Sequence, residues 1–111
     1  MKKGEVLKKA DGTSYQVADA KKLQVSYVSP SKRKSGTVNI PSKVIIGGKT
    51  YQVTKIKKNA FKNNKKIKKI VIPSSVVSIE NYAFANCKNL KTIEIRTTKL
   101  KNKKISSKAS K

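Results

Sequence analysis

Apolar positions along this chain follow two regimes. In the first half they alternate. Leu23, Val25 and Tyr27 occupy every second position, the pattern of a strand with one buried face, and Val38 and Ile40 do the same ahead of Pro41. Val44-Ile45-Ile46 and Thr50-Tyr51-Gln52-Val53 flank Gly47-Gly48-Lys49, which predicts a β-hairpin. Asp11-Gly12, between Val6-Leu7 and Tyr15–Val17, predicts another turn of this kind. Ser29 to Gly36 carries Pro30, Lys32, Arg33 and Lys34 and reads as a polar loop. Residues 1–55 are expected to form a hairpin-rich β cap.

From Ile56 the spacing changes and recurs. Ile56, Ala60, Phe61, Asn64, Ile67, Ile70 and Ile72 form one series, and Ile79, Ala83, Phe84, Cys87, Leu90, Ile93 and Ile95 form another. Each pair is offset by 23 positions (79 minus 56, through 95 minus 72). Self-similarity at this period marks a coil that cannot bury its apolar face alone and stacks on its neighbour. Ile67-x2-Ile70-x-Ile72 and Leu90-x2-Ile93-x-Ile95 then place alternate side chains of short strands inward, side by side in a parallel sheet. Ala60-Phe61 and Ala83-Phe84 are expected on short helical turns behind it. Val76 and Ile79 are expected on a second extended segment that closes the coil, and Pro73 ends the first strand.

The reading is thus mainly β with short helical turns, in one structural domain. Two complete coils span 56–78 and 79–98. A third, degenerate copy starts near Lys99, where Ile105 and Ala109 keep the Ile-to-Ala spacing but Ser110 stands in place of Phe.

The run from Ile40-Pro41 through Asn59-Ala60-Phe61, Val71-Ile72-Pro73-Ser74-Ser75-Val76 and Tyr82-Ala83-Phe84 to Asn89-Leu90-Lys91-Thr92-Ile93 resembles the BspA-type leucine-rich repeats, roughly over residues 38–110. The resemblance implies a right-handed solenoid. It also implies adhesion or protein contact at a bacterial surface or in a secreted protein, with no catalytic residues to carry over. The chain departs from the family pattern at Lys57 and Glu80, where Gly is usual, at Asn64, where Cys is usual, and at Arg96, where Pro is usual.

Charge changes the picture more than composition does. Apolar residues make up 36%, enough for a thin layered core, while the net charge is +23. Such a balance ordinarily predicts disorder; the positional order of the apolar residues argues against it except from Lys99 to Lys111, where fraying is expected. Lysine supplies 26 of the 28 basic residues, Arg33 and Arg96 the others. A run of Lys55, Lys57, Lys58, Lys62, Lys65, Lys66, Lys68 and Lys69 interleaves with the buried series and is expected to face water. It serves either as a solvated shell or as a docking patch for an anionic polymer. A second candidate surface is the outward row between the inward strand residues: Lys69, Val71, Thr92, Glu94 and Arg96, on what would be the concave sheet of a solenoid.

Catalytic chemistry finds little support. The chain has no His, which excludes His-based metal sites and triads, and no cofactor or metal is expected. Cys87 is the lone cysteine and reads as a core residue at a repeat position. Glu5, Asp11, Asp19, Glu80 and Glu94 form no visible acid–base pair, and Gly47-Gly48 lacks the Lys-Ser/Thr ending of a phosphate loop. No apolar run approaches transmembrane length, so membrane insertion is not expected, and the N-terminus has no apolar signal core. Three functions remain open: a recognition module for protein or glycan, a charge-driven binder of teichoic acid or sulfated glycan, and a structural spacer. Nucleic acid is disfavoured, because Arg is scarce and the tyrosines do not cluster with the lysine run.

Overall fold

The computed structural model describes residues 2–30 and 36–96, and these form nine strands with no helix among them. The strands are β1 (Val6–Lys8), β2 (Ser14–Asp19), β3 (Gln24–Ser29), β4 (Gly36–Asn39), β5 (Lys43–Ile46), β6 (Lys49–Ile56), β7 (Ile67–Ile72), β8 (Ser78–Ile79) and β9 (Thr92–Ile95). The centre of the polar loop, residues 31–35, and the degenerate copy from Lys99 lie outside the described residues.

The N-terminal part is an antiparallel meander. β1 pairs with β2, and β2 with β3, with Tyr15 opposite Tyr27 and Val17 opposite Val25. The β5–β6 hairpin closes on Gly47-Gly48, at φ 57° and 79°, so Ile46 meets Lys49 across a two-residue turn. Both central residues of such a turn need positive φ, which glycine adopts without steric cost.

From β3 onward the pairing between successive circuits is parallel. Two stacks result, β3-β6-β8 and β4-β7-β9, and the chain visits them alternately. In the later circuits the register is the offset seen in the sequence: Ile56 lies beside Ile79, Ile70 beside Ile93 and Ile72 beside Ile95. Upstream the offsets are longer, with Val25 beside Val53 and Val38 beside Ile70. Each of those circuits contains the β5 arm, which lengthens it and hides it from a fixed-period search. Residues 1–55, grouped in the sequence as a cap, therefore supply β3 and β4 to the same parallel stacks that the repeats continue.

The short helical turns expected at Ala60-Phe61 and Ala83-Phe84 are not formed. Tight turns follow one another instead: Ala60 N–H donates to the Lys57 carbonyl at 3.2 Å, Lys62 to Asn59 at 3.1 Å and Asn64 to Phe61 at 3.1 Å. Asn59, Asn63, Tyr82 and Asn86 sit at φ 63°, 64°, 63° and 57°. A left-handed residue every four positions is incompatible with a right-handed helix. The backbone groups a helix would use internally reach across to the next circuit, where Phe61 N–H donates to Ala83 at 2.7 Å and Asn63 N–H to Ala85 at 2.9 Å.

The core lies between the stacks. Val25, Val53, Ile56, Ile67, Ile70, Ile72, Val76 and Phe84 have no exposed surface. Each such side chain contributes on the order of 1.5–3 kcal/mol through its burial. A column of rings runs through these layers: Tyr15 meets Tyr27 edge-on at 5.7 Å, Tyr27 stacks on Phe61 at 5.3 Å, and Phe61 stacks on Phe84 at 5.6 Å.

Candidate functional site

The outward row of the second sheet is built by register. Thr37, Lys69 and Thr92 stand side by side on β4, β7 and β9, and Asn39, Val71 and Glu94 form the next row. The Glu94 carboxylate lies 3.5 Å from Lys69 Nζ and accepts from Arg96 Nε at 2.6 Å. The Arg96 hydrogen bond and charge hold the Glu94 carboxyl below the usual carboxylate range. Arg96 reaches this position because its backbone N–H donates to the Ile72 carbonyl at 2.9 Å, one residue past the end of β9. The surface is thus a charged trio flanked by exposed threonines.

Val71 behaves differently. It alternates outward on β7 as its neighbours do, yet only 6% of it is exposed. β7 is the middle strand of three, and Asn39 and Glu94 are the register partners of Val71 on either side. Val71 is therefore buried and offers a ligand little surface.

The structure divides the lysine run. Lys57 lies 3.6 Å from Glu80, whose carboxylate also accepts from the Lys58 backbone N–H at 2.9 Å. Lys69 belongs to the Glu94 trio, and Lys55 lies on β6 beside Ser78 of β8. Lys58, Lys62, Lys65, Lys66 and Lys68 are exposed. Lys62, Lys65 and Lys66, with Asn63 and Asn64, surround an open depression of about 410 Å³. The Asn64 carboxamide shapes this loop by accepting from the N–H groups of Lys66 and Ile67 at 2.9 and 3.1 Å.

Cys87 is half-buried and its Sγ donates to the Phe61 carbonyl at 2.9 Å. Burial pushes its thiol up, away from the thiolate form a nucleophile needs. Among the described residues no three of His, Cys, Asp and Glu converge, and no helix is long and apolar enough to cross a membrane.

One feature escaped the sequence reading. A polar groove of about 420 Å³ opens where β5 and β8 follow each other along the same edge of β6, lined by Gln24, Gln52, Thr54, Ser42, Lys43 and Ser75 among others. Ser75 fixes its floor by donating to the Val53 carbonyl at 2.6 Å. Its residues come from four separate segments and share no spacing, so no local pattern announces it.

A family model described as the BspA type leucine-rich repeat region matches residues 54–109. No curated protein matches. Among solved structures, a leucine-rich repeat protein from Bacteroides capillosus ATCC 29799 is 22% identical over 81% of this chain, with a TM-score of 0.71. A leucine-rich repeat protein from Bacteroides ovatus ATCC 8483 is 30% identical over 80% of this chain, at 0.71. A leucine-rich cell surface protein from Faecalibacterium prausnitzii A2-165 is 24% identical over 86%, also at 0.71. The chain spans 64% of the first protein, 23% of the second and 24% of the third.

Proposed function

The chain belongs to the BspA-type leucine-rich repeat family, and from that premise we propose a non-catalytic recognition module, displayed at a bacterial surface or secreted, that binds protein or glycan. On this reading the alternating circuits are coils of a right-handed solenoid, covered at the N-terminal end by β1, β2 and the β5 arm. The contact surface is the outward face of β4-β7-β9, through Lys69, Thr92, Glu94 and Arg96.

One observation carries the proposal. In-register stacking sets residues of three consecutive circuits in continuous rows, and the Lys69–Glu94–Arg96 trio is ordered by its own ion pairs. A pre-ordered polar surface loses little side-chain entropy on binding. Surface location is supported by the family and by the cell-surface description of the Faecalibacterium protein.

The test is a binding screen of matrix proteins and glycans at physiological salt. Any saturable ligand is then measured against Thr92→Arg and Arg96→Glu. Loss of binding in these variants, with cooperative thermal melting retained, is the expected result. An unaltered affinity would place recognition elsewhere.

A further inference from the structure

The chain sets 26 lysines against five carboxylate side chains, and among the described residues the ion pairs take up Lys57, Lys69 and Arg96. Within the repeats, Glu80 serves Lys57, while Glu94 serves Lys69 and Arg96. Lys65, Lys68, Lys88 and Lys91 are exposed, and none lies within ion-pair distance of a carboxylate among the described residues.

Stacking then sets these four in columns. Lys91 N–H donates to the Lys68 carbonyl at 2.9 Å, which puts Lys91 beside Lys68. Asn89 Nδ2 donates to the Lys65 carbonyl at 2.6 Å, which holds the turn carrying Lys88 against the Lys65 segment, and Lys88 follows Lys65 at the same offset of 23. Like charges gathered on one surface repel one another and work against the compact state. The columns therefore oppose folding, and an anion lying along them relieves the repulsion. The depression bounded by Lys62, Lys65 and Lys66 adjoins the same columns and adds two further ammonium groups.

We propose that the Lys65–Lys88 and Lys68–Lys91 columns bind a linear polymer bearing sulfate or phosphate groups, which runs along the stacking direction from one circuit to the next. Ammonium groups act as point charges that accept either anion. Unpaired bases need aromatic platforms for stacking. Tyr82 is the one exposed aromatic among the described residues, so a polymer without bases fits better. Lys68 lies on β7 next to Lys69, so the columns border the β4-β7-β9 face without including Thr92, Glu94 or Arg96, and either reading stands without the other.

The experiment compares two variants of equal charge across a salt series, with a heparin oligosaccharide and inorganic polyphosphate as probes. One combines Lys65→Ala, Lys68→Ala, Lys88→Ala and Lys91→Ala. The other combines Lys8→Ala, Lys21→Ala, Lys43→Ala and Lys49→Ala, exposed lysines of β1, the β2–β3 turn, β5 and the start of β6. The column variant should lose about tenfold or more in affinity and flatten the log–log salt slope by about 3, since each ammonium–anion contact adds roughly 0.7–0.9. The control should lose less than about threefold by the same reasoning. The probe that shows the larger loss identifies sulfate or phosphate as the preferred group. Equal losses in the two variants, or no saturable binding of either probe, would overturn the proposal. Should the fourfold column variant fail to melt cooperatively, the pair Lys65→Ala and Lys88→Ala is measured in its place.

Discussion

The ring of Phe84 stacks on that of Phe61 at 5.6 Å with their planes 27° apart, and Phe61 in turn stacks on Tyr27 at 5.3 Å. Phe61 is thus held between rings of two neighbouring circuits, whereas Phe84 has one such partner among the described residues. Phe61→Ala is expected to lower stability by about 3–5 kcal/mol, the usual cost of emptying a buried aromatic site. A double-mutant cycle with Phe84→Ala should return a coupling of about 0.5–1.5 kcal/mol. Denaturant unfolding measures both, and a loss under about 1 kcal/mol for Phe61→Ala would deny the column its structural role.

Tyr82 occupies the left-handed region at φ 63°, where the equivalent residue of the preceding circuit is Asn59, also at 63°. Asparagine tolerates this conformation and an aromatic residue does not. Tyr82 is 39% exposed and lies outside the core cluster. Tyr82→Asn should therefore raise stability by about 0.5–1.5 kcal/mol, read from the thermal or denaturant midpoint. A fall in the midpoint would mean that the ring contributes contacts outweighing the strain.

Tyr15 and Tyr27 are buried, and desolvation raises both phenols above their ordinary value of 10.0, Tyr15 to about 12. A raised folded value means the native state keeps its protons longer than the unfolded chain. Their contribution is therefore complete below pH 10 and declines as pH rises from there toward and past 12. Each phenol should cost about 1.4 kcal/mol per pH unit within that window. Ultraviolet phenolate absorbance followed alongside unfolding checks this: ionisation of the buried pair should coincide with loss of structure. Smooth titration of Tyr15 and Tyr27 near 10 in a folded protein would refute it.

Glu94 titrates in the opposite sense. Its folded value is lowered, chiefly by the Arg96 hydrogen bond, so its contribution is present above the ordinary carboxylate range and is lost as pH falls through the depressed value. Arg96→Ala should return the Glu94 carboxyl toward that ordinary range, which a carboxyl-detected NMR titration will report. An unmoved titration would assign the effect to Lys69 instead.

With 28 basic residues against five carboxylates the net charge is +23, and self-repulsion opposes the compact state. Added salt should raise the melting temperature by several degrees between low and physiological ionic strength, because screening acts on exposed charges. A melting temperature that falls with salt would show that the ion pairs outweigh the repulsion.

The repeat was legible because each of its positions carries the same physical demand twice. Ile70 and Ile93 must both enter one core layer, as must Phe61 and Phe84, and that demand leaves a fixed spacing in the chain. The hairpin at Gly47-Gly48 was legible for a local reason, the steric freedom of glycine. Ala-Phe spacing alone suggests helical turns because it does not reveal backbone handedness; the asparagines at 59, 63 and 86 are the available sign of the left-handed residues. Alternation alone points Val71 outward, and it is silent about the strands on either side of β7, among which Val71 is buried.

By itself, then, the sequence determined the period, the inward residues and the surplus of lysine, since each follows from side-chain type and spacing along one chain. Tertiary structure decided which residues stand next to each other across circuits: the enlistment of β3 and β4 into the parallel stacks, the burial of Val71, and the polar groove beside β6. Those adjacencies arise from hydrogen bonds between segments far apart in the chain. The inserted β5 arm changes the length of the connection without changing the layer it returns to, so spacing could not report them.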